Sequence, residues 1–222
     1  MPIGKVFTIY EAEFCIINLY IMQTENIQQI GLEKRIGIIM IFWGAGSFLL
    51  GFFNIFSLIP RPLFGVLIAL ILLGLIFIYQ TKPSFKAFSD SIPLKGITLF
   101  HVWRIFAGWI FISYTGKLSE TFIHNAAYGD IISGSLAASV FVFGRTKLNY
   151  YIFNIIGLLD FIIAVGTGVF LTITGNNEMA PIIQLPLILI PLFGVPLSGF
   201  THFISLSRLL KMKDKKLSEM IE

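Results

Sequence analysis

The sequence predicts an all-α polytopic membrane protein: a bundle of six transmembrane helices preceded by an amphipathic or interfacial amino-terminal helix. Three observations predict it. The 222 residues are 56% hydrophobic and only 13% charged, against about 25% charged in a soluble domain, and mean hydropathy is +0.85. Six stretches are apolar over roughly the 20 residues that a spanning helix requires. Lysine and arginine fall on alternate loops, the pattern that orients such a chain in a bilayer.

Residues 1–34 form the first segment. Val6, Tyr10, Phe14, Ile17 and Ile21 recur at steps of three or four, with Lys5, Glu11 and Glu13 elsewhere on the wheel. That pattern suits a helix lying on the cytoplasmic surface. A seventh span is the alternative, and the charge count does not arbitrate. The apolar run from Phe14 to Met22 is short, follows Glu11 and Glu13, and lacks a small-residue cleavage site. The first long span is therefore expected to serve as an uncleaved anchor.

The six spans fall at 36–56, 63–79, 97–114, 126–144, 150–174 and 181–206, within a transmembrane domain of residues 35–210. Thirteen basic residues then lie on one side and two, Arg61 and Lys117, on the other, with Arg104 inside a span. This places both termini in the cytoplasm, including a basic tail over 211–222. Tyr79, Tyr150 and Tyr151 sit near the inner ends and Tyr114 and Tyr128 near the outer ends, as an aromatic belt requires. The basic charge is thus spent on topology, and no nucleic-acid partner is expected despite a pI near 9.2. The lipid bilayer is the expected partner, and protein partners are not legible.

Two packing signals follow. Gly129, Ser133 and Ala137 form a small-residue stripe in span four, with Gly134 and Ala138 as a second, and small residues allow close helix approach in lipid. In span six Pro181, Pro186, Pro191 and Pro196 recur every five residues. Each interior proline removes a backbone hydrogen bond, so this span is expected to be kinked or locally unwound.

Five ionisable side chains lie inside the spans: His101, Arg104, Asp130, Asp160 and His202. A charge near the bilayer centre costs about 2.5–3.5 kcal/mol on insertion scales, so such groups face a partner, a cavity or a ligand. At about 1.5 Å per residue, His101 falls ~6 Å, His202 ~8 Å, Arg104 ~10 Å and Asp160 ~16 Å from the cytoplasmic side. By the same rise, Asp130 falls ~6 Å from the outer end. Asn154 belongs to the inner layer.

Four readings of this cluster stand. Arg104 and Asp160 form a buried ion pair with a structural role alone. Arg104, Asp130, Asp160 and Asn154 bind or conduct a proton or small solute, with Asp130 as an outer station. His101 and His202 are the two axial ligands of a haem, Arg104 pairing with a propionate. His101, His202 and Asp160 hold zinc in an open site, although no H-E-x-x-H motif is present. His124, beside Asn125, is expected in a solvated outer loop.

No nucleophile is set beside a base at a recognisable spacing and no glycine loop cradles phosphate, so the sequence leans away from an enzyme. Cys15 is the only cysteine, which excludes an intrachain disulfide. Arg104, AAYGDIISG from Ala126 to Gly134, FNIIGLLDFIIAVG from Phe153 to Gly166, and LPLILIPLFGVPLSGFTHFISL from Leu185 to Leu206 resemble a group of bacterial multi-pass membrane proteins of uncharacterised activity. The resemblance covers roughly residues 100–210, with Ala127 where that group is expected to carry glycine. It implies a bacterial cytoplasmic membrane and brings no reaction. The working reading is transport or binding of a small solute or proton.

Overall fold

The computed structural model describes residues 30–212, which are helical apart from short connections and one isolated bridge between Thr115 and Leu118. The chain divides into two compact units, Met1–Phe42 and Trp43–Glu222. In the first, the described residues are helical and expose Ile38, Ile39, Ile41 and Phe42. They open helix α1, Ile30–Phe52. The amphipathic helix expected near the amino terminus, and the choice between it and a seventh span, lie outside the described residues, as does the tail beyond 212.

The second unit continues through α2 (Arg61–Thr81), α3 (Pro83–Ser91), α4 (Leu94–Phe100), α5 (Trp103–Ile112), α6 (Glu120–Phe143), α7 (Lys147–Ile173) and α8 (Val195–Lys211). Among the described residues, five helices are long and apolar enough to cross a membrane: Ile30–Phe52, Arg61–Thr81, Glu120–Phe143, Lys147–Ile173 and Ile190–Lys211. The all-α architecture matches the expectation and is compatible with an integral membrane protein. The third expected span differs, because it is two short helices set end to end. At the junction the backbone bonds shorten to steps of three, with His101 N donating to Thr98 O and Arg104 N donating to His101 O, both at 3.1 Å. Neither piece alone reaches the roughly 20 residues of a regular span.

Helix α6 starts at Glu120, six residues ahead of the expected boundary at 126. His124 and Asn125 are therefore helical rather than in a loop. Each finds a partner there: the His124 ring lies edge-on to Tyr128 at 5.2 Å, and Asn125 Nδ2 donates to Thr167 Oγ1 at 3.0 Å. Helix α7 starts earlier than expected too, because Thr146 and Asn149 cap it reciprocally, which satisfies two of the free amide donors at its end.

The proline-rich segment is unwound as its spacing predicts. A 3-10 helix over Asn177–Ile183 holds Pro181, and a π-type turn over Ile190–Gly194 holds Pro191. Pro196 falls in the first turn of α8, where a missing N–H costs nothing. Over its most apolar window the Ile190–Lys211 helix is 61% buried, against 11–33% for the other four long helices, so α8 is the central element. The outer helices turn apolar side chains outward, among them Val66, Leu70, Leu73 and Phe77 on α2 and Ile155, Leu159 and Ile162 on α7.

Candidate functional site

Helices α5, α6 and α7 meet at Arg104, which is 4% exposed. Its Nε donates to Asp130 Oδ1 at 2.7 Å, its Nη2 donates to Asp160 Oδ2, and its Nη1 donates to the Gly157 carbonyl at 3.3 Å. Ser133 Oγ donates to Asp160 Oδ2 at 3.5 Å. One guanidinium thus bridges two carboxylates, and the cluster carries a formal charge of −1. The sequence paired Arg104 with Asp160 and set Asp130 apart near the outer end. The pairing is present, but Asp130 belongs to the same cluster. With α6 beginning at Glu120, Asp130 lies ten residues along it, about 15 Å in at the usual rise.

Small residues make this convergence possible. A Cβ at Gly129 would run into the Asp160 carboxylate, so the stripe on α6 admits a charged group as well as a helix. On α7, a Cβ at Gly157 would stand 2.6 Å from His202 Nε2 and 3.4 Å from Arg104 Nη1. Asp160, Gly157, Asn154 and Tyr150 recur at steps of three or four and so share the face that meets α8. His202 Nδ1 donates to Asn154 Oδ1 at 2.9 Å, and Asn154 Nδ2 donates to Ser205 Oγ at 2.9 Å and to Tyr150 O at 2.7 Å. In that tautomer His202 Nε2 is an acceptor, and it has no partner among the described residues. A polar ladder therefore runs from His202 through Asn154 to Ser205, beside Arg104 but joined to it by no hydrogen bond among the described residues.

His101 and His202 are fully buried and stacked, with ring centroids 4.0 Å apart and planes tilted by 32°. Phe153 packs against both, at 5.2 and 5.3 Å. Two axial ligands must face each other across a porphyrin, and rings stacked at this distance leave no room for one. The pair does not fit haem. The zinc reading fares no better: Asp160 Oδ2 is occupied by Arg104 and Ser133. Among the described residues no group of three or more His, Cys, Asp or Glu side chains could hold a metal ion. His101 Nε2 pairs instead with Thr201 Oγ1 at 3.0 Å.

Above the cluster lies a cavity of about 90 Å³. Arg104 and Asp130 form part of its lining at one end, and Arg61 and Thr172, at the termini of α2 and α7, line the other. Between them the walls are apolar, built largely from Phe64, Phe111, Phe122 and Phe161. Asp130 retains 12% side-chain exposure, and its hydrogen bond from Arg104 is the only one it accepts among the described residues. Two further lining residues carry a buried polar atom with no partner among the described residues, Trp103 at Nε1 and Ser198 at Oγ. Sequence reasoning missed both, because Trp103 reads as span filler and a lone serine in a helix carries no signal.

No curated protein and no solved structure matches the chain. Residues 61–210, from the first residue of α2 to the last turn of α8, hold every side chain of the cluster and the cavity lining. That span matches the family described as a domain of unknown function, DUF8737, and the chain belongs to this family.

Proposed function

We propose that this chain is a six-span membrane protein with cytoplasmic termini that binds a small solute in its apolar cavity for transport. Asp130, Arg104 and Asp160 form the charged element of the site. In this reading α4 and α5 together make one interrupted crossing, and the loop charges set the orientation. The observation that carries it is the double position of Asp130, which holds Arg104 on one side and borders the cavity on the other. A buried charge with an accessible face is costly in a bilayer and suits a site whose occupant changes. The ladder through His202 and Asn154 supplies hydrogen-bonding groups on the other side of Arg104, suited to a proton that moves with the solute.

The competing reading is a cluster that only holds helices together. Thermal unfolding of the detergent-purified protein, with and without a panel of small amines, alcohols, carboxylates and sugars, separates the two. Ala164 lines the cavity, and Ala164→Phe fills it. The transport reading expects one chemical class to raise the Tm of the wild type and to lose that effect in the variant. It is abandoned if no solute distinguishes the two proteins and the neutral triple variant Arg104→Met, Asp130→Asn, Asp160→Asn is as stable as the wild type.

A further inference from the structure

The chemistry of the cavity narrows its ligand. Its polar end presents a carboxylate from a cluster with one positive and two negative groups, so a single positive charge completes the balance. The other cation on the lining, Arg61, lies at the far end and is already held by Asn176 O at 2.8 Å and Asn177 Oδ1 at 3.0 Å. Ser198, which lines the same space, is 3% exposed, and its hydroxyl has no partner among the described residues. The walls include the rings of Phe64, Phe111, Phe122 and Phe161, and aromatic rings bury apolar surface and attract a cation at their faces. At about 10–15 Å³ per water-sized group, the volume admits roughly six to nine heavy atoms.

Resting on the solute-binding reading above, we propose that the ligand is a small monocation with an apolar or aromatic body. Its ammonium head is received by Asp130 and Ser198, and its body lies between the phenylalanines. An anion would meet the net negative cluster, and a sugar would leave its hydroxyls unpaired against apolar walls, at a cost that buried polar groups rarely meet.

Benzylamine, benzyl alcohol and benzoate share a phenyl body that keeps each within that size and differ in the charge of the head. Each is added to the full-length protein in detergent at neutral pH, and unfolding is followed by intrinsic fluorescence. The amine is expected to raise Tm by roughly 5–11 °C at about a hundredfold excess over Kd, and the alcohol and acid to leave it unchanged. Asp130→Asn and Ala164→Phe should each abolish the shift, and the second tests the cavity without altering the charge cluster. A larger shift with the alcohol or the acid overturns the cation and leaves solute binding standing. An amine shift that survives in both variants places the amine elsewhere and overturns the proposal. No shift with any of the three overturns the aromatic monocation, while the wider solute panel still judges the binding reading independently.

Discussion

Removing the guanidinium from between its two carboxylates is the most informative perturbation of this fold. Arg104→Met keeps an unbranched apolar stem of similar volume but deletes donors to Asp130, Asp160 and the Gly157 carbonyl. Two buried carboxylates from neighbouring helices then face each other without a counter-ion. Breaking a buried pair from one side costs about 3–5 kcal/mol. At 1.36 kcal/mol per factor of ten, the folded-to-unfolded ratio falls by ~10²–10⁴. For a chain of this size, Tm falls by roughly 6–20 °C. The triple variant Arg104→Met, Asp130→Asn, Asp160→Asn removes all three charges at nearly constant volume and leaves no charge buried without a counter-ion, so it is expected to be more stable than the single variant. The assay is accumulation in the membrane fraction, followed by Tm of the detergent-purified protein. The reasoning fails if Arg104→Met unfolds with the wild type, or if the triple variant is no more stable than the single one. Either result would mean that the carboxylates do not depend on Arg104 for their burial.

Three further outcomes follow from the same geometry. Gly129→Ala should lower Tm, since its methyl group occupies the place of the Asp160 carboxylate, whereas Gly166→Ala, which meets nothing within 4 Å, should be neutral or gain up to about 1 kcal/mol of helix propensity; equal effects in paired thermal melts would contradict the close approach. Asn154→Leu leaves His202 Nδ1 and Ser205 Oγ unsatisfied, at about 1–3 kcal/mol for each buried group, and a Tm within a degree or so of wild type would remove Asn154 from the ladder. For orientation, a membrane-impermeant maleimide applied to intact cells should label Lys117→Cys and spare Lys82→Cys in a Cys15→Ser background; the reverse labelling would invert the topology.

What the sequence made legible was the inventory of the site, and what it hid was the depth of each member. His101, Arg104, Asp160, Asn154 and His202 could be grouped because uncharged surroundings make each one conspicuous. Asp130 was displaced because apolar composition marks the start of a spanning helix, while the helix itself begins wherever the backbone bonds begin. Glu120, His124 and Asn125 are helical but polar, so a hydropathy reading trims them and moves Asp130 outward by about two turns. The prolines announced that segment six would unwind, since each one deletes a donor. Nothing comparable announced the break in segment three, which contains neither proline nor glycine between Ile97 and Ala107. The cavity was out of reach for a different reason: its walls are ordinary phenylalanines, and an absence of packing has no residue to mark it.

That unannounced break is what aligns the cluster. In a regular α-helix, residues three apart are offset by about 60° around the axis, whereas in a 3-10 turn they eclipse one another. The step-of-three bonds from His101 to Thr98 and from Arg104 to His101 therefore set the two side chains along one line of the helix. His101 then stacks on His202, while Arg104, one turn on, reaches Asp130 and Asp160. Continuous α-helix through this segment would keep both on one face but turn them about 60° apart, so the two sets of contacts would no longer lie along one line. The irregularity that excludes α4 and α5 from the long apolar helices thus sets the register between the histidine stack and the charged site.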